Sequence, residues 1–155
     1  MCDYSLYEFP NRLAREGEEL VTYRFPLGSI GLVSPMELRN EQTKPTATRF
    51  WGAVRSLSEG ASRARSVCAI CVPPGARLIL KDIPAQVQKE MGVRSEEGAT
   101  FIQTSAESHR HRDAIQLSNG SVIPLQQLRE GQRIEILSLV GAEEPVEHRQ
   151  TVLAR

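Results

Sequence analysis

Two histidines separated by one residue, His109 and His111, followed by Asp113, form the densest group of ligating side chains in the stretch "SHRHRDAIQLSNGSVI", residues 108–123. A strand running through them would place His109, His111 and Asp113 on one face with Ile115 and Leu117, turned to the core, and leave Arg110 and Arg112 outward. Same-face neighbours on a strand lie about 7 Å apart, so two imidazole nitrogens can converge on one ion about 2 Å from each. Asp113 can then hold a histidine's second ring nitrogen and fix its tautomer. Two other readings stand beside this one. The inward run can end at Ile115 with both histidines in a solvated loop, or Arg110 and Arg112 can flank partly protonated histidines as a basic patch for phosphate. Aromatic residues are not interleaved there, so the stretch is a weak nucleic-acid signature.

The chain has three cysteines, Cys2, Cys68 and Cys71, which cannot all pair within one molecule. A reducing compartment keeps them as thiols, available as core residues, ligands or nucleophiles. Cys68 and Cys71 have zinc-knuckle spacing, but Ala69 and Ile70 between them read as strand, and positions i and i+3 of a strand face opposite sides. Cys68 is therefore expected in the core, as a small hydrophobe. Cys71 ends the strand just before "PPG", where a side chain can line a cavity mouth. Cys2 would become an N-terminal nucleophile if Met1 were removed, its free amine serving as base, although the chain is short for that layered fold. If Cys2, Cys71 and a histidine converge, mixed sulfur and nitrogen donors favour zinc, iron or copper over magnesium or calcium. Three protein ligands would leave an open position for water or substrate.

These side chains must be positioned by a chain of 155 residues with 19 Lys plus Arg against 19 Asp plus Glu. That length can bury a real core without a metal or disulfides. Zero formal net charge supplies no global field toward nucleic acid or anionic lipid. No stretch approaches the roughly 18 apolar residues of a membrane span, and Asp3 and Glu8 stand where a signal peptide would be basic and then apolar, so the expected location is the cytoplasm.

Period-two alternation predicts strands in "ELVTYRF", "ATFIQTS" and "QRIEILSL". "SVCAICV", apolar on both faces, reads as a fully covered strand that forms a hairpin with "ARLIL" across "PPG". "PLGSIGLVSP" reads as a turn and a short edge strand, and "RDAIQLSNGSVI" as a hairpin whose Asn119-Gly120 suits a type I′ turn. Helices are expected in "TATRFWGAVRSLSEG" and in "DIPAQVQKEMG", with Asp82 as cap and Gly92 as stop; "NEQTKPTAT" reads as a polar loop. Arg49, Arg55, Arg63 and Arg65 beside Trp51 are an alternative anion or partner surface, or a solvated helix face. The expected fold is mainly β, a β-rich α+β barrel or sandwich of six to eight short strands with two short helices. It forms a single domain over residues 1–140, with a mobile tail over 141–155.

"CDYSL", "CVPPG", "HRHRDA" and "LREGQ" together resemble a group of small bacterial proteins that open with Cys-Asp-Tyr-Ser-Leu, a resemblance that implies no particular activity. It singles out Cys2, Asp3, Cys71, His111 and Asp113; Cys68 and His109 match the pattern less closely. "HRHRDAIQLSNG" followed by "LREGQRIEIL" is also similar in outline to cupins, metal-binding barrels whose first motif carries His-x-His and then a glutamate on a strand. Ile115 and Gln116 occupy the place of that glutamate, and no later histidine fits the second motif. The leading expectation is one transition metal, zinc or else iron or copper, held by Cys2, Cys71, His109 and His111. Asp113 and Asp3 would stand behind the ligands, no organic cofactor is implied, and an open metal position could activate water. The rivals are a metal-free interaction or structural domain and a cupin-like metalloenzyme. Neither membrane nor nucleic acid is expected as partner, while a small ligand, a protein partner and self-association stay open.

Overall fold

The computed structural model of the chain describes residues 6–43, 67–107 and 110–141. The expected helix at "TATRFWGAVRSLSEG" and the tail beyond residue 141 lie outside the described residues. The fold is mainly β, as the alternation predicts: a curled, antiparallel half-barrel sheet with helices at its margins. In chain order the described elements are β1 (Asn11–Leu13), β2 (Glu19–Arg24), β3 (Ile30–Val33), α1 (Pro35–Thr43), β4 (Ala69–Cys71), β5 (Arg77–Lys81), α2 (Ala85–Met91), β6 (Glu97–Gln103), β7 (Asp113–Leu117), β8 (Val122–Pro124), a 3-10 turn (Leu125–Gln127) and β9 (Arg133–Ser138). Among the described residues nine strands stand where six to eight were expected, because β1, β4 and β8 are only three residues each.

Seven strands pair in the order β3-β2-β9-β5-β6-β7-β8, and β1 and β4 form a separate parallel pair. In β2, Leu20 and Thr22 are buried while Val21 and Tyr23 are half-buried, the alternation its sequence predicts. The curl wraps Leu20, Leu78, Leu80, Phe101, Ile115, Leu117, Ile134 and Ile136 into the main core. A second cluster of Leu6, Phe9, Phe25, Val33, Val67, Ala69 and Cys71 receives the opposite face of β2 through Val21 and Tyr23. Its rings are in contact, with Phe9 and Phe25 centroids 4.7 Å apart and Tyr23 edge-on to Phe25 at 5.1 Å, geometries favoured by the ring quadrupole.

β4 is covered on both faces as its composition predicts, sending Ile70 to the main core and Ala69 and Cys71 to the second cluster. It does not form the expected hairpin with "ARLIL". After "PPG" the chain crosses to the large sheet, where β5 lies between β9 and β6, and β4 pairs in parallel with β1. β3 is the edge strand its glycine and proline flanks suggest.

Three local expectations are corrected. "NEQTKPTAT" is not loop from its start, since α1 runs through Thr43. Pro35 opens that helix and Leu38 N–H donates to Ser34 C=O at 3.2 Å, a proline-first start with fixed φ. Asp82 does not cap α2, because it adopts φ 54° and turns its carboxylate to Arg133 at 3.1 Å; Gly92 does close that helix, in left-handed conformation. The β7–β8 hairpin forms, but Asn119 is not among the residues with positive φ and Gly120 is, at 87°. Leu117 N–H donates to Ser121 C=O at 2.8 Å and Gly120 N–H to Leu117 C=O at 2.9 Å. This is a three-residue loop with glycine in the left-handed position rather than a type I′ turn.

At the Gly131 turn, buried Thr22 donates its hydroxyl to Arg129 C=O at 2.6 Å and accepts from Gln132 N–H at 2.8 Å. Buried Gln132 gives its side-chain amide to Lys81 C=O. The polar groups enclosed where β2, β5 and β9 meet are thus satisfied, as burial requires. No helix among the described residues is long and apolar enough to cross a membrane.

Candidate functional site

The histidine stretch is built less tightly than the metal reading needs. The strand does not run back through it: β7 begins at Asp113, so the shared inward face holds Asp113, Ile115 and Leu117 but not His111, which is exposed in the approach loop. Asp113 is 7% exposed and sits opposite Gln103, whose amide donates to it at 3.1 Å. Thr104 pins the entry to the strand, donating its N–H and its hydroxyl to Arg112 C=O at 2.8 and 3.2 Å. Arg110 pairs with Glu107 at 2.8 Å, so the proposed basic patch has part of its charge already answered. His109, Cys2 and Asp3 lie outside the described residues.

Cys71 ends β4 just before "PPG", as its sequence context predicts. It is 5% exposed among Leu6, Phe9 and Phe25 and is disulfide-bonded, where the sequence reading expected a thiol near a cavity mouth. A sulfur in a disulfide lacks the thiolate that binds metal. Cys68 is free and half-buried, packs on the main core while Cys71 packs on the second cluster, and donates its thiol to Ala69 C=O at 3.7 Å. The opposed placement of the pair follows from their i, i+3 spacing in extended chain. Burial, and then the charge of Glu37, push the Cys68 thiol above its ordinary range, which lowers its thiolate fraction and reactivity.

The charges around Cys68 satisfy one another. Arg12 on β1 holds the Glu18 carboxylate with both terminal nitrogens, at 2.5 and 3.1 Å, and reaches Glu37 on α1 at 3.4 Å. The Arg12 side-chain bond holds the Glu18 carboxyl below its usual range, and the same bond raises Arg12. The network ties β1 and α1 to the start of β2. Among the described residues, no three His, Cys, Asp or Glu side chains are grouped to hold a metal.

Sequence reasoning missed a groove of about 410 Å³ on the outer face of the sheet, over β5, β6 and β7. Register builds its floor: Arg77 lies opposite Thr100, and Thr100 opposite Gln116, so three polar side chains from three strands form one outward row. Leu137 on β9 borders one side and Ser118 the other. Elsewhere on the sheet's outer face charges are paired, Lys81 with Glu135 at 2.6 Å and Arg133 with Glu19 at 2.9 Å. The side chains of Arg77, Thr100 and Gln116 make no hydrogen bond or ion pair among the described residues. Gly98 adds to the opening. It lies inside β6 without positive φ, and a Cβ there would meet no atom within 4 Å. The fold therefore does not require glycine at this position, and a strand-interior glycine without a backbone reason often marks close approach by a ligand or another chain. That glycine is the one signal in the sequence that could have pointed here.

A second cavity, about 250 Å³, lies where α2 covers the end of the barrel, between Val87 and Met91 on the helix and Leu80, Ile83, Ile123 and Leu128 beneath. No residue of α2 is fully buried.

No family model, curated protein or solved structure matches the chain.

Proposed function

We propose that the chain is a metal-independent, non-catalytic binding domain that presents the outer face of its half-barrel as the recognition surface. The observation that carries this reading is the partnerless row Arg77, Thr100 and Gln116, set in a groove whose floor is left open by Gly98. The paired strands fix the spacing of these donors and acceptors, so a ligand meets a set pattern of polar groups while Arg77 and Gln116 give up rotamer freedom on binding. The disulfide at Cys71 and the exposure of His111 favour this role over a shared metal centre.

The experiment is a fragment screen followed by backbone-amide NMR on protein dialysed against EDTA. Ligands that shift the amides of residues 98–100 and 116–118, with equal strength before and after chelation, support the reading. A screen whose responses all fall elsewhere, or vanish on chelation, defeats it.

A second reading keeps one transition ion on Cys2, Cys71, His109 and His111, in a cytoplasmic protein akin to the Cys-Asp-Tyr-Ser-Leu group or to cupins. What favours it is Asp113, buried and turned inward two residues from His111, in the place of a carboxylate that orients a ligating imidazole. It requires Cys71 as a thiolate, hence a reduced protein.

A further inference from the structure

We propose that the outer groove takes a singly charged carboxylate borne on a flat apolar body; this rests on the binding role argued above and names its ligand class. The cation comes first. Among the described residues Arg77 is the one charged side chain lining the groove, and a guanidinium offers two parallel N–H groups that match the two oxygens of a carboxylate. Thr100, its direct cross-strand neighbour, can donate a hydroxyl to one of those oxygens, since opposed side chains on paired strands start about 5 Å apart. Gln116 continues the row on β7 and can bond a second polar atom one strand further on.

Charge and backbone geometry decide against phosphate. A dianion calls for several cations or an array of unpaired backbone N–H groups, as at a helix N-terminus or a glycine-rich nest. Here the N–H groups of β5, β6 and β7 belong to the sheet ladder, and one arginine faces the ligand. Ser118, which lines the groove, already donates its hydroxyl to Glu97, so it has no proton left for an anion. The apolar body is placed by Leu137 on one side and by the bare backbone at Gly98, over which a ring can lie flat.

The test is an amide-detected NMR titration of the full chain with benzoate, benzamide and inorganic phosphate, repeated on Arg77→Gln and Arg77→Lys. Benzoate is expected to saturate with shifts at Gly98, Thr100 and Gln116, at least about 10-fold more tightly than benzamide. Arg77→Gln should weaken it by about the same factor, while Arg77→Lys retains part of the affinity. Equal binding of benzoate and benzamide, indifference to Arg77→Gln, or phosphate saturating below benzoate would overturn the carboxylate assignment and leave the binding role standing. Failure of every probe, charged or neutral, to shift the groove amides would overturn both. An unchanged spectrum outside the groove confirms that the variants fold.

Discussion

Gln126 faces the backbone of Ile30 as a neighbouring strand would. Ile30 N–H donates to its Oε1 at 2.8 Å, and its Nε2 donates to Ile30 C=O at 2.8 Å. One carboxamide thus links the β3 edge to the turn after β8 and occupies, at Ile30, backbone groups that would otherwise be open to pairing with another chain.

Ile30 is fully buried, so removing its partner strands a donor and an acceptor together. Gln126→Ala should cost about 2 kcal/mol in urea unfolding, against about 1 kcal/mol for an ordinary exposed hydrogen bond. Gln126→Glu should fall between, keeping the bond from Ile30 N–H and losing the other. A loss within error for Gln126→Ala would show that water replaces the carboxamide and that the edge is open.

The Arg12–Glu18 pair makes stability depend on pH in a fixed direction. The Glu18 carboxyl is held below its usual range in the folded protein, so its contribution is complete above the unfolded value of about 4.3 and is lost as pH falls through the lower folded value. Unfolding free energy should therefore drop below about pH 4 more steeply in the wild type than in Glu18→Gln. That variant should lose about 1 kcal/mol at pH 7, as expected for a half-buried rather than an exposed pair. Parallel acid limbs in wild type and variant would remove Glu18 as the titrating group.

Cysteine chemistry separates the two functional readings. Denatured, unreduced protein should take iodoacetamide at Cys68 and not at Cys71, and at Cys71 only after reduction, as read by peptide mass spectrometry. In the native state Cys68 should react slowly at pH 7, because burial disfavours its thiolate. Alkylation of Cys71 without reduction would mean a thiol is present and would return weight to the metal reading.

Elemental analysis of protein purified without a histidine tag should find zinc, iron and copper well below one per chain, unchanged by Cys71→Ser. Stoichiometric metal that disappears in Cys71→Ser would replace the binding-domain account with the metal centre.

The elements whose evidence is local were legible in the sequence. Leu20 and Thr22 in β2, Ile134 and Ile136 in β9, and the double-sided burial of β4 each follow from the alternation or uniformity of a few consecutive residues. What failed depended on partners far along the chain. The β4–β5 hairpin gave way to parallel pairing with Asn11–Leu13, which no property of "SVCAICV" announces. The strand through the histidines stopped at Asp113 because His111 has no apolar burial to reward extension. α1 was overlooked for want of apolar periodicity, although Ser34, Pro35 and Glu37 together spell a helix start. Arg77, Thr100 and Gln116 read singly as ordinary outward residues of three strands, and only the register β5-β6-β7 makes them neighbours.

The central claim, that the outer groove is kept open for a ligand, is tested most directly by Gly98→Val, with melting temperature and benzoate titration measured on the same sample. Its backbone conformation and free space admit a side chain, so a β-branched residue should raise stability by about 1 kcal/mol while filling the floor and abolishing saturable benzoate binding. A stabilised variant that binds benzoate as the wild type does would show that the open floor serves no ligand, and would contradict the account.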